Sequence, residues 1–426
     1  MLRDWHRVSS YAAATASLAP LFRGKVVMDV GAGSGILSFF AAAAGAASVL
    51  AVEGSRGAAA LLQRQLQHNE RLGRVAPGVV RVFCCRVEEL SVHPDFPLEL
   101  LQGVDIIVSE WMGFFLLHEG MLQSLLFARD MFLKPQSGLL LPCAARILVS
   151  LCSCSEVHDQ QVGFLDDYCG FSFLPLQRQL LQQHAQTPLV LQLPPKACCC
   201  TPPAIVAELD LYTATPQQLQ QIKRQVQLHV HQEATVHGFA FWFDVTFPGS
   251  SHAAEHDERR SVADGTQSSA DVALYRGVPP SDPSATAASR LAAAEAAVLP
   301  AVPKAASSCY TPIEQAAAAA AARAAASSET FAAKPPRAGS KEAVTLSTSP
   351  FAPPTHWQQL LLLLPQPMHA PSGMTLTVEA QLRQDASNPR FYQVSVDVLD
   401  AEVPDAQPHQ ALSRSKSICS DSTGTA

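Results

Sequence analysis

The chain has 426 residues, of which 48% are hydrophobic, so it is long enough for about two or three domains with at least one sizeable core. Its formal net charge of -7 and its pI of about 6.0 argue against broad binding to the phosphate backbone of nucleic acids. No apolar run reaches the roughly 20 residues that cross a bilayer, so no membrane-spanning helix is predicted.

The cysteines, 11 in all, are scattered or directly adjacent, as in Cys84 and Cys85 or in the run from Cys198 to Cys200. They include no pair of CxxC units with the spacing of a zinc site, and we predict no metal site. This usage favours reduced thiols in an intracellular compartment.

The first recognisable unit is "GKVVMDVGAGSGILSFFAAAAGAASVLAVEGS", which has the pattern of a strand, a glycine-rich turn, a helix and a second strand. A further helix pattern follows, and then strand patterns in "VVRVFCC" and "GVDIIVSEW". Alternating strands and helices of these lengths predict a doubly wound α/β domain, to which we assign residues 1–144.

Shorter segments of period two follow, such as "ARILVSLC", "GFAFWFDVTF" and "RFYQVSVDVL", and they predict an antiparallel β-rich second domain. We assign it residues 145–249 and 344–400. Residues 250–343 are dominated by Ala, Ser, Pro and Thr, and we predict that this insertion is disordered because it has too little apolar surface to offset its ordering entropy. A similar composition predicts a disordered tail at 401–426.

The glycine-rich turn contains Asp29, Gly31, Gly33 and Gly35, and Glu53 ends the next strand. Glycines between a strand and a helix allow a ligand to approach backbone N–H groups, and a carboxylate at Glu53 can accept both hydroxyls of a ribose. A dinucleotide and S-adenosylmethionine both fit. The third glycine comes one residue earlier than in the dinucleotide fingerprint and an acid precedes the turn, which favours the methyl donor.

Val87 and Glu88 follow the third strand pattern, where they could border an adenine ring and accept a hydrogen bond from its amino group. An exposed loop acid is an equally good interpretation of Glu88 from the residues alone.

The segment "SEWMGFFLLHEGM" places two acids, Glu110 and Glu119, in an apolar surrounding where burial of each is costly. Glu110 follows a strand, at the sheet edge that carries the glycine turn, and Glu119 lies near the start of a helix pattern. A metal site would need more ligands than the nearby His118, and a glycosidase pair would leave the glycine turn without a purpose. Binding of a guanidinium uses both acids, because its planar donors match two carboxylates.

These residues resemble the type I protein arginine methyltransferases, which make asymmetric dimethylarginine. The similarity lies in "VMDVGAGSGILSFFAAAAGA" and "AVEGS", in the double-acid segment "SEWMGFFLLHEGML", and in "STSPFAPPTHW". The phrases "HGFAFWFDVTFPG" and "NPRFYQVSVDV" lean toward nuclear, histone-methylating members. The resemblance covers nearly all of 1–249 and 344–400. It implies a Rossmann-like methyltransferase domain followed by a β-barrel-like domain with a helical dimerisation arm at about 165–205.

The resemblance also implies roles for individual residues. Glu110 and Glu119 would hold the substrate guanidinium, while Met121 and Trp357 would shape its pocket. Asp4 and His356 would form a pair that relays a proton or ties the domains together. The residues implied to contact S-adenosylmethionine are Arg7, Asp29, Gly31, Gly33, Glu53, Val87 and Glu88.

The implied partners are arginine-containing proteins such as histones and Gly-Arg-rich proteins, together with a second copy of the chain, without membrane or direct nucleic-acid binding. The implied location is the nucleus, the cytoplasm or both. The sequence departs from the family at Phe114 and Cys85 and in the long insertion. At the N-terminus, the family's tyrosine-bearing lid helix is expected before Met1, so either the true product starts upstream or this chain binds the cofactor poorly. A catalytically impaired methyltransferase-fold scaffold therefore stays open as the alternative.

Overall fold

In the computed structural model of the chain, residues 1–97, 100, 102–200, 202–249 and 343–403 are described. The predicted insertion lies outside the described residues except for Ala343, and so does the predicted tail beyond residue 403.

The N-terminal part is built from alternating helices and strands. Their bounds are α1 Trp5–Ser17, α2 Ala19–Phe22, β1 Val26–Val30, α3 Ile36–Ala43, β2 Ser48–Val52, α4 Arg56–Arg71, β3 Val80–Phe83, β4 Ile106–Val108, α5 Met121–Phe132 and β5 Leu139–Leu141, with a 3-10 helix at Val87–Val92. The five strands form one parallel sheet in the order β3-β2-β1-β4-β5. The predicted α/β class is confirmed.

The local chemistry of these elements explains why they form. The strand β1, "VVMDV", is buried over its last four positions, as expected for a strand covered on both faces of a parallel sheet. Ser55 is the N-cap of α4, and its hydroxyl accepts a hydrogen bond from the N–H of Ala58 over 3.4 Å. Its buried residues, spaced three and four apart, face the sheet: Ala59, Leu62 and Leu66.

The second part is antiparallel, as predicted. Its strands are β6 Ala144–Cys152, β7 Leu189–Leu191, β8 Ala204–Asp210, β9 Gln221–His229, β10 Ala234–Thr246, β11 Thr345–Ser347, β12 Gln359–Ala370, β13 Thr375–Gln384 and β14 Tyr392–Glu402. In the part of the chain that the structure describes, they form two open sheets, β7-β12-β10-β6-β8 with β11 on β10, and β14-β13-β9. This is a barrel-like arrangement without a closed barrel. The last strand, β14, continues two residues beyond the predicted domain end.

Three helices accompany these sheets: α6 Ser155–Gln161, α7 Leu174–Gln186 and the short α8 Pro216–Gln220. We call residues 155–197, which connect β6 to β8, the arm. The predicted arm at about 165–205 overlaps this segment, and both ranges include β7, which pairs with β12 in the sheet. The predicted domain boundaries stay predictions.

The two parts share one core. The ring of Tyr11 on α1 packs edge-on against Phe247 of the second part with centroids 4.8 Å apart, and its hydroxyl donates to the Ser109 carbonyl over 2.8 Å. The helix α1 therefore connects the parallel sheet to the antiparallel one. Within the described ranges, no helix combines the length and apolar character needed to cross a membrane.

Candidate active site

The glycine turn has the backbone geometry that its sequence requires. Gly31, Gly33 and Gly35 have φ angles of 76°, 52° and 83°, in the left-handed region that favours glycine. Gly35 is also the N-cap of α3. A Cβ atom added at Gly33 would meet no atom closer than 3.8 Å, so the backbone there borders open space. The turn presents its backbone N–H groups at the start of a helix, as a ligand cradle does.

The predicted Glu53 lies at this turn. One carboxylate oxygen accepts a hydrogen bond from the N–H of Gly33 over 2.8 Å, and the other accepts from the N–H of Ser55 over 2.7 Å. Since a carboxylate has about four acceptor sites, it can still accept hydroxyls from a ligand.

Asp29 is fully buried beneath the turn. One of its oxygens accepts a hydrogen bond from the Ser38 hydroxyl over 2.6 Å, and the other has no partner within the described residues. Burial raises the pKa of Asp29 to about 7, although the bond from Ser38 lowers it. The sequence analysis did not identify Ser38 as a site residue. Its position in the first turns of α3, directly after the glycine turn, was the signal that could have identified it.

Val87 and Glu88 begin the 3-10 helix after β3, on the same sheet edge. Val87 is buried, and Glu88 accepts a hydrogen bond from the Ser124 hydroxyl on α5 over 2.6 Å. Arg86 lies 3.3 Å from the other Glu88 oxygen. Glu88 is therefore held between two elements and is not the free loop acid of the alternative interpretation.

Glu110 follows β4 at the carboxyl edge of the sheet, and the guanidinium of Arg7 lies against it, with Nη1 3.0 Å from Oε2. Burial raises the pKa of Glu110 to about 7, the charge of Arg7 lowers it, and the charge of Glu119 raises it. The two acids are thus close enough to interact electrostatically. Arg7, which the resemblance implies as a contact of S-adenosylmethionine, lies against the first acid of the pair.

The loop between the acids is strained. Gly113 and Leu116 exchange two backbone hydrogen bonds of 3.0 Å, and Phe115 and Leu116 have positive φ angles of 38° and 80°. Such conformations persist only where the surroundings impose them, and here Phe115 and Leu116 are buried. The apolar body of the loop therefore fixes the two ends that carry the acids.

Glu119 has a φ of 78° and precedes α5 by two residues. Its backbone N–H donates to the Arg390 carbonyl over 2.8 Å, and Nε of Arg390 donates back to the Glu119 carbonyl over 3.1 Å. Arg390 lies in the β13–β14 hairpin of the second part, so this hairpin positions the second acid. The sequence analysis did not predict this contact between Arg390 and Glu119, because 271 residues separate the two partners.

The remaining predicted residues meet at Arg7. The ring Nδ1 of His356 lies 2.9 Å from Oδ2 of Asp4, and its Nε2 lies 3.4 Å from Nη1 of Arg7. The Arg7 guanidinium stacks on the Trp357 ring at 4.9 Å, and the Trp357 indole donates to the Met112 carbonyl over 3.0 Å. The predicted Asp4 and His356 are brought together, next to Glu110.

Met121 connects the two halves of the site. A Cβ atom on Gly31 would overlap the terminal methyl of Met121, so the methionine side chain lies directly against the glycine turn. The double-acid loop and the turn are therefore neighbours. In the described part of the chain, no group of three or more His, Cys, Asp or Glu side chains could hold a metal ion.

Comparison with known proteins agrees with the resemblance to the protein arginine methyltransferases that the sequence motifs indicated. The arginine methyltransferase oligomerization subdomain matches residues 143–259 and 331–399. Protein arginine N-methyltransferase 1 of Schizosaccharomyces pombe is 35% identical over 247 residues, which are 58% of this chain and 67% of that protein. A probable protein arginine N-methyltransferase 6.1 of Oryza sativa subsp. japonica is 29% identical over 93% of this chain and 81% of its own length.

A solved Trypanosoma brucei PRMT1 enzyme-prozyme heterotetrameric complex with AdoHcy has a TM-score of 0.63 at 25% identity, covering 93% of this chain and 91% of that one. The crystal structure of PRMT6, with a TM-score of 0.58 at 23% identity over 94% and 98% of the two chains, supports the fold. The chain belongs to the protein arginine N-methyltransferase family.

Proposed function

We propose that the chain transfers a methyl group from S-adenosylmethionine to a guanidino nitrogen of arginine in proteins. The observation that carries this proposal is the contact between Met121 and Gly31, which places the double-acid loop directly beside the glycine turn. A guanidinium held by Glu110 and Glu119 then lies next to a ligand held by the turn.

The residues of the turn fit S-adenosylmethionine. Gly31 and Gly33 offer backbone N–H groups beside open space, Glu53 offers a carboxylate at the end of β2, and the second Asp29 oxygen is a buried acceptor without a partner in the described structure. Val87 and Glu88 lie on the same edge. When bound, S-adenosylmethionine supplies an electrophilic methyl group on a sulfonium.

The two acids bind and orient the substrate. The attraction of a nearby cation offsets the free-energy cost of removing a carboxylate from water. Glu110 already has such a partner in this structure, since the guanidinium of Arg7 lies at hydrogen-bond distance from its carboxylate. Gripping the substrate by two carboxylates fixes the plane of its guanidinium. The buried loop residues Phe115 and Leu116 exclude water from this pair.

Asp4 and His356 can accept and relay the proton that leaves the substrate. With Nδ1 donating to Asp4, the ring exposes Nε2 as the basic nitrogen toward Arg7. Burial lowers the pKa of His356, although the hydrogen bond to Asp4 raises it, so the ring is neutral and able to accept a proton near pH 7.

We further propose the finer features of this activity: type I products, namely mono- and asymmetric dimethylarginine, histones and Gly-Arg-rich proteins as substrates, and the nucleus or cytoplasm as the location. We also propose a homodimer that forms through the arm. Support for the dimer comes from large apolar side chains that are exposed on the arm: Phe164, Tyr168, Phe171, Phe173, Leu174 and Leu176.

The test is incubation of the purified chain with S-adenosylmethionine and with histones or Gly-Arg-rich peptides, followed by mass spectrometry. We expect monomethylarginine followed by asymmetric dimethylarginine. Symmetric dimethylarginine would overturn the type I assignment. A chain that binds S-adenosylmethionine by calorimetry and methylates no arginine would overturn the proposed substrate class, and a chain that binds none would favour the scaffold alternative.

A further inference from the structure

The arm leaves and rejoins the sheet through two adjacent segments, and each contains cysteine. Cys152, the last residue of β6, and Cys198 form an isolated antiparallel bridge. Two backbone hydrogen bonds flank this pair, 2.7 Å from the Ser153 N–H to the Ala197 carbonyl and 2.9 Å from the Cys199 N–H to the Leu151 carbonyl. Because the hydrogen bonds join the neighbouring residues and not Cys152 and Cys198 themselves, these two cysteines form a non-hydrogen-bonded pair of the antiparallel ladder.

The residues of such a pair have Cα atoms about 4.5 Å apart and side chains on the same face. This separation lies within the range of about 4.4 to 6.8 Å that disulfides require. Cys152 and Cys198 can therefore be bridged without moving the backbone. Both are free thiols in the structure.

A third cysteine, Cys154, lies on the same face two residues after Cys152, and the two pack in one apolar cluster with Leu193 and Trp242. The interaction between the neighbouring Cys152 and Cys154 thiols lowers the pKa of Cys154 although burial raises it, and the same interaction together with burial raises the pKa of Cys152. Cys154 is also 7% exposed, whereas Cys152 is 0% exposed. Both residues are buried, and Cys154 is the one with the lowered pKa and the larger exposed fraction.

We propose that Cys152, Cys154 and Cys198 form an oxidation-sensitive thiol site, which reacts with hydrogen peroxide and closes a disulfide between Cys152 and Cys198. The site lies at the base of the arm and does not depend on the proposed methyl transfer.

The reaction proceeds in three steps. The Cys154 thiolate attacks one peroxide oxygen, the O–O bond breaks, and hydroxide leaves, so that Cys154 becomes a sulfenic acid. The Cys152 thiol then attacks the Cys154 sulfur, the hydroxide that leaves takes up the Cys152 proton as water, and a Cys152–Cys154 disulfide forms. Finally the Cys198 thiol attacks the Cys152 sulfur and gives up its proton, and Cys154 leaves as the thiolate, because a thiol of lower pKa is the better leaving group.

In total, two thiols lose two electrons and two protons, and one peroxide becomes two waters. The product joins the strand that enters the arm to the segment that leaves it. Residues 155–197 then form a loop that is closed covalently at its base.

The experiment uses the full chain with serine at four other cysteines, the exposed Cys84 and Cys169 together with Cys309 and Cys419, which lie outside the described residues. The protein is treated with equimolar peroxide, blocked with an alkylating agent and mapped by mass spectrometry without reduction. We expect the loss of two hydrogens per chain and a Cys152–Cys198 peptide pair that a reductant separates.

Single substitutions test the assigned order. Cys154→Ser should slow disulfide formation by about tenfold or more, because the thiol that makes the first attack on peroxide is gone. Cys198→Ser should stop the reaction at the Cys152–Cys154 disulfide. Cys143→Ser, a buried cysteine elsewhere in the same part of the chain, is the matched control and should oxidise at the parent rate.

The proposal is overturned if peroxide produces no disulfide to Cys152 in the parent chain, or if Cys154→Ser leaves the rate unchanged. A bridge that uses Cys199 or Cys200 in place of Cys198 would also overturn it. Circular dichroism confirms that each variant is folded before oxidation. Cys198 is only half-buried, so its substitution still provides the test if Cys154→Ser does not fold.

Discussion

The carboxylate of Asp4 joins the two parts of the molecule through His356. Its Oδ2 accepts hydrogen bonds from the backbone N–H of His356 over 3.1 Å and from the ring Nδ1 over 2.9 Å. Its Oδ1 accepts from the N–H of Arg7 in the first turn of α1 over 3.2 Å. One side chain thus caps a helix and holds a histidine 352 residues away.

We expect Asp4→Asn to lower the free energy of unfolding at pH 7 by about 1 to 3 kcal/mol, since hydrogen bonds to charged groups contribute about this much. Burial raises the pKa of Asp4, but the hydrogen bonds from His356 outweigh it, so the pKa lies below its ordinary 3.8. A folded-state pKa below the unfolded one stabilises the fold above about pH 4, and this stabilisation is lost as the pH falls through the folded-state pKa.

Urea unfolding at pH 7 and at pH 3 measures this effect, and the difference between parent and variant should shrink at the lower pH. Asp95→Asn, at an exposed position, is the control and should change neither value by more than about 0.5 kcal/mol. An equal difference at both pH values would mean that the charge of Asp4 is not responsible.

Glu110→Gln should reduce arginine methylation by about 100-fold or more and leave the affinity for S-adenosylhomocysteine within a few fold. Removal of one preorganised charged partner from an active site typically costs about this factor. The measurements are initial rates with a radiolabelled donor, and calorimetry. Glu233→Gln, whose side chain is 70% exposed, is the control. Parent-like rates in Glu110→Gln would remove the double-acid mechanism.

Gly33→Val should abolish binding of S-adenosylhomocysteine, because the side chain would fill the space beside the turn. The matched control is Gly73→Val, at a φ of 65° against 52° for Gly33, with no atom within 4 Å of the added Cβ. Both variants carry similar backbone strain, and only one lies at the proposed site. Equal affinity in the two variants, measured by calorimetry, would remove Gly33 from the cofactor site.

The activity should rise with pH through about 7, because burial raises the pKa of Glu110 to about 7 and only the ionised carboxylate attracts a guanidinium. Below the pKa, kcat/KM should fall about tenfold per pH unit. Asp29 has a pKa raised by burial to about 7 as well, so the profile of Asp29→Asn separates the two groups. If ionisation of Glu110 causes the rise of kcat/KM with pH, the rise persists in Asp29→Asn, whatever the absolute rate of that variant. A rise that vanishes in Asp29→Asn would assign it to Asp29.

Phe171→Ser should shift the chain from dimer to monomer in light scattering, since Phe171 is 70% exposed and is the most exposed of the aromatic side chains on the arm. Truncation of one aromatic hot spot in an interface typically costs about 2 kcal/mol or more of binding free energy. Leu399→Ser on β14, at a position 51% exposed, is the control and should keep the parent mass. A monomeric parent chain would contradict the proposed dimer.

Much of the site followed from local pattern. The apolar strands β1 and β4 predicted that Asp29 and Glu110 would reach the same sheet edge, and the parallel register of Asp29 with Val108 places them there. The glycine spacing predicted a turn at a helix start, and the positive φ angles confirm it. These features depend on residues close in sequence, so periodicity and turn chemistry were sufficient to find them.

Other features depended on contacts between distant segments. The sequence suggested an arm at about 165–205, and only folding shows that Leu189–Leu191 within it pair with β12 in the sheet. The resemblance implied that Arg7 contacts the cofactor, and folding also places its guanidinium 3.0 Å from Glu110 across 103 residues. No local signal reports which of several cations will lie beside a buried acid, because long-range packing decides it.

The sequence by itself determined the parallel sheet, the glycine turn and the presence of two acids in an apolar loop, since each arises from the preferences of a few neighbouring residues. The tertiary structure decided that Arg390 would hold Glu119, that Asp4 would reach His356, and that Cys152 would face Cys198. These pairings depend on how elements far apart in the chain pack and register against each other. Closing such long loops is favourable only when the whole core forms.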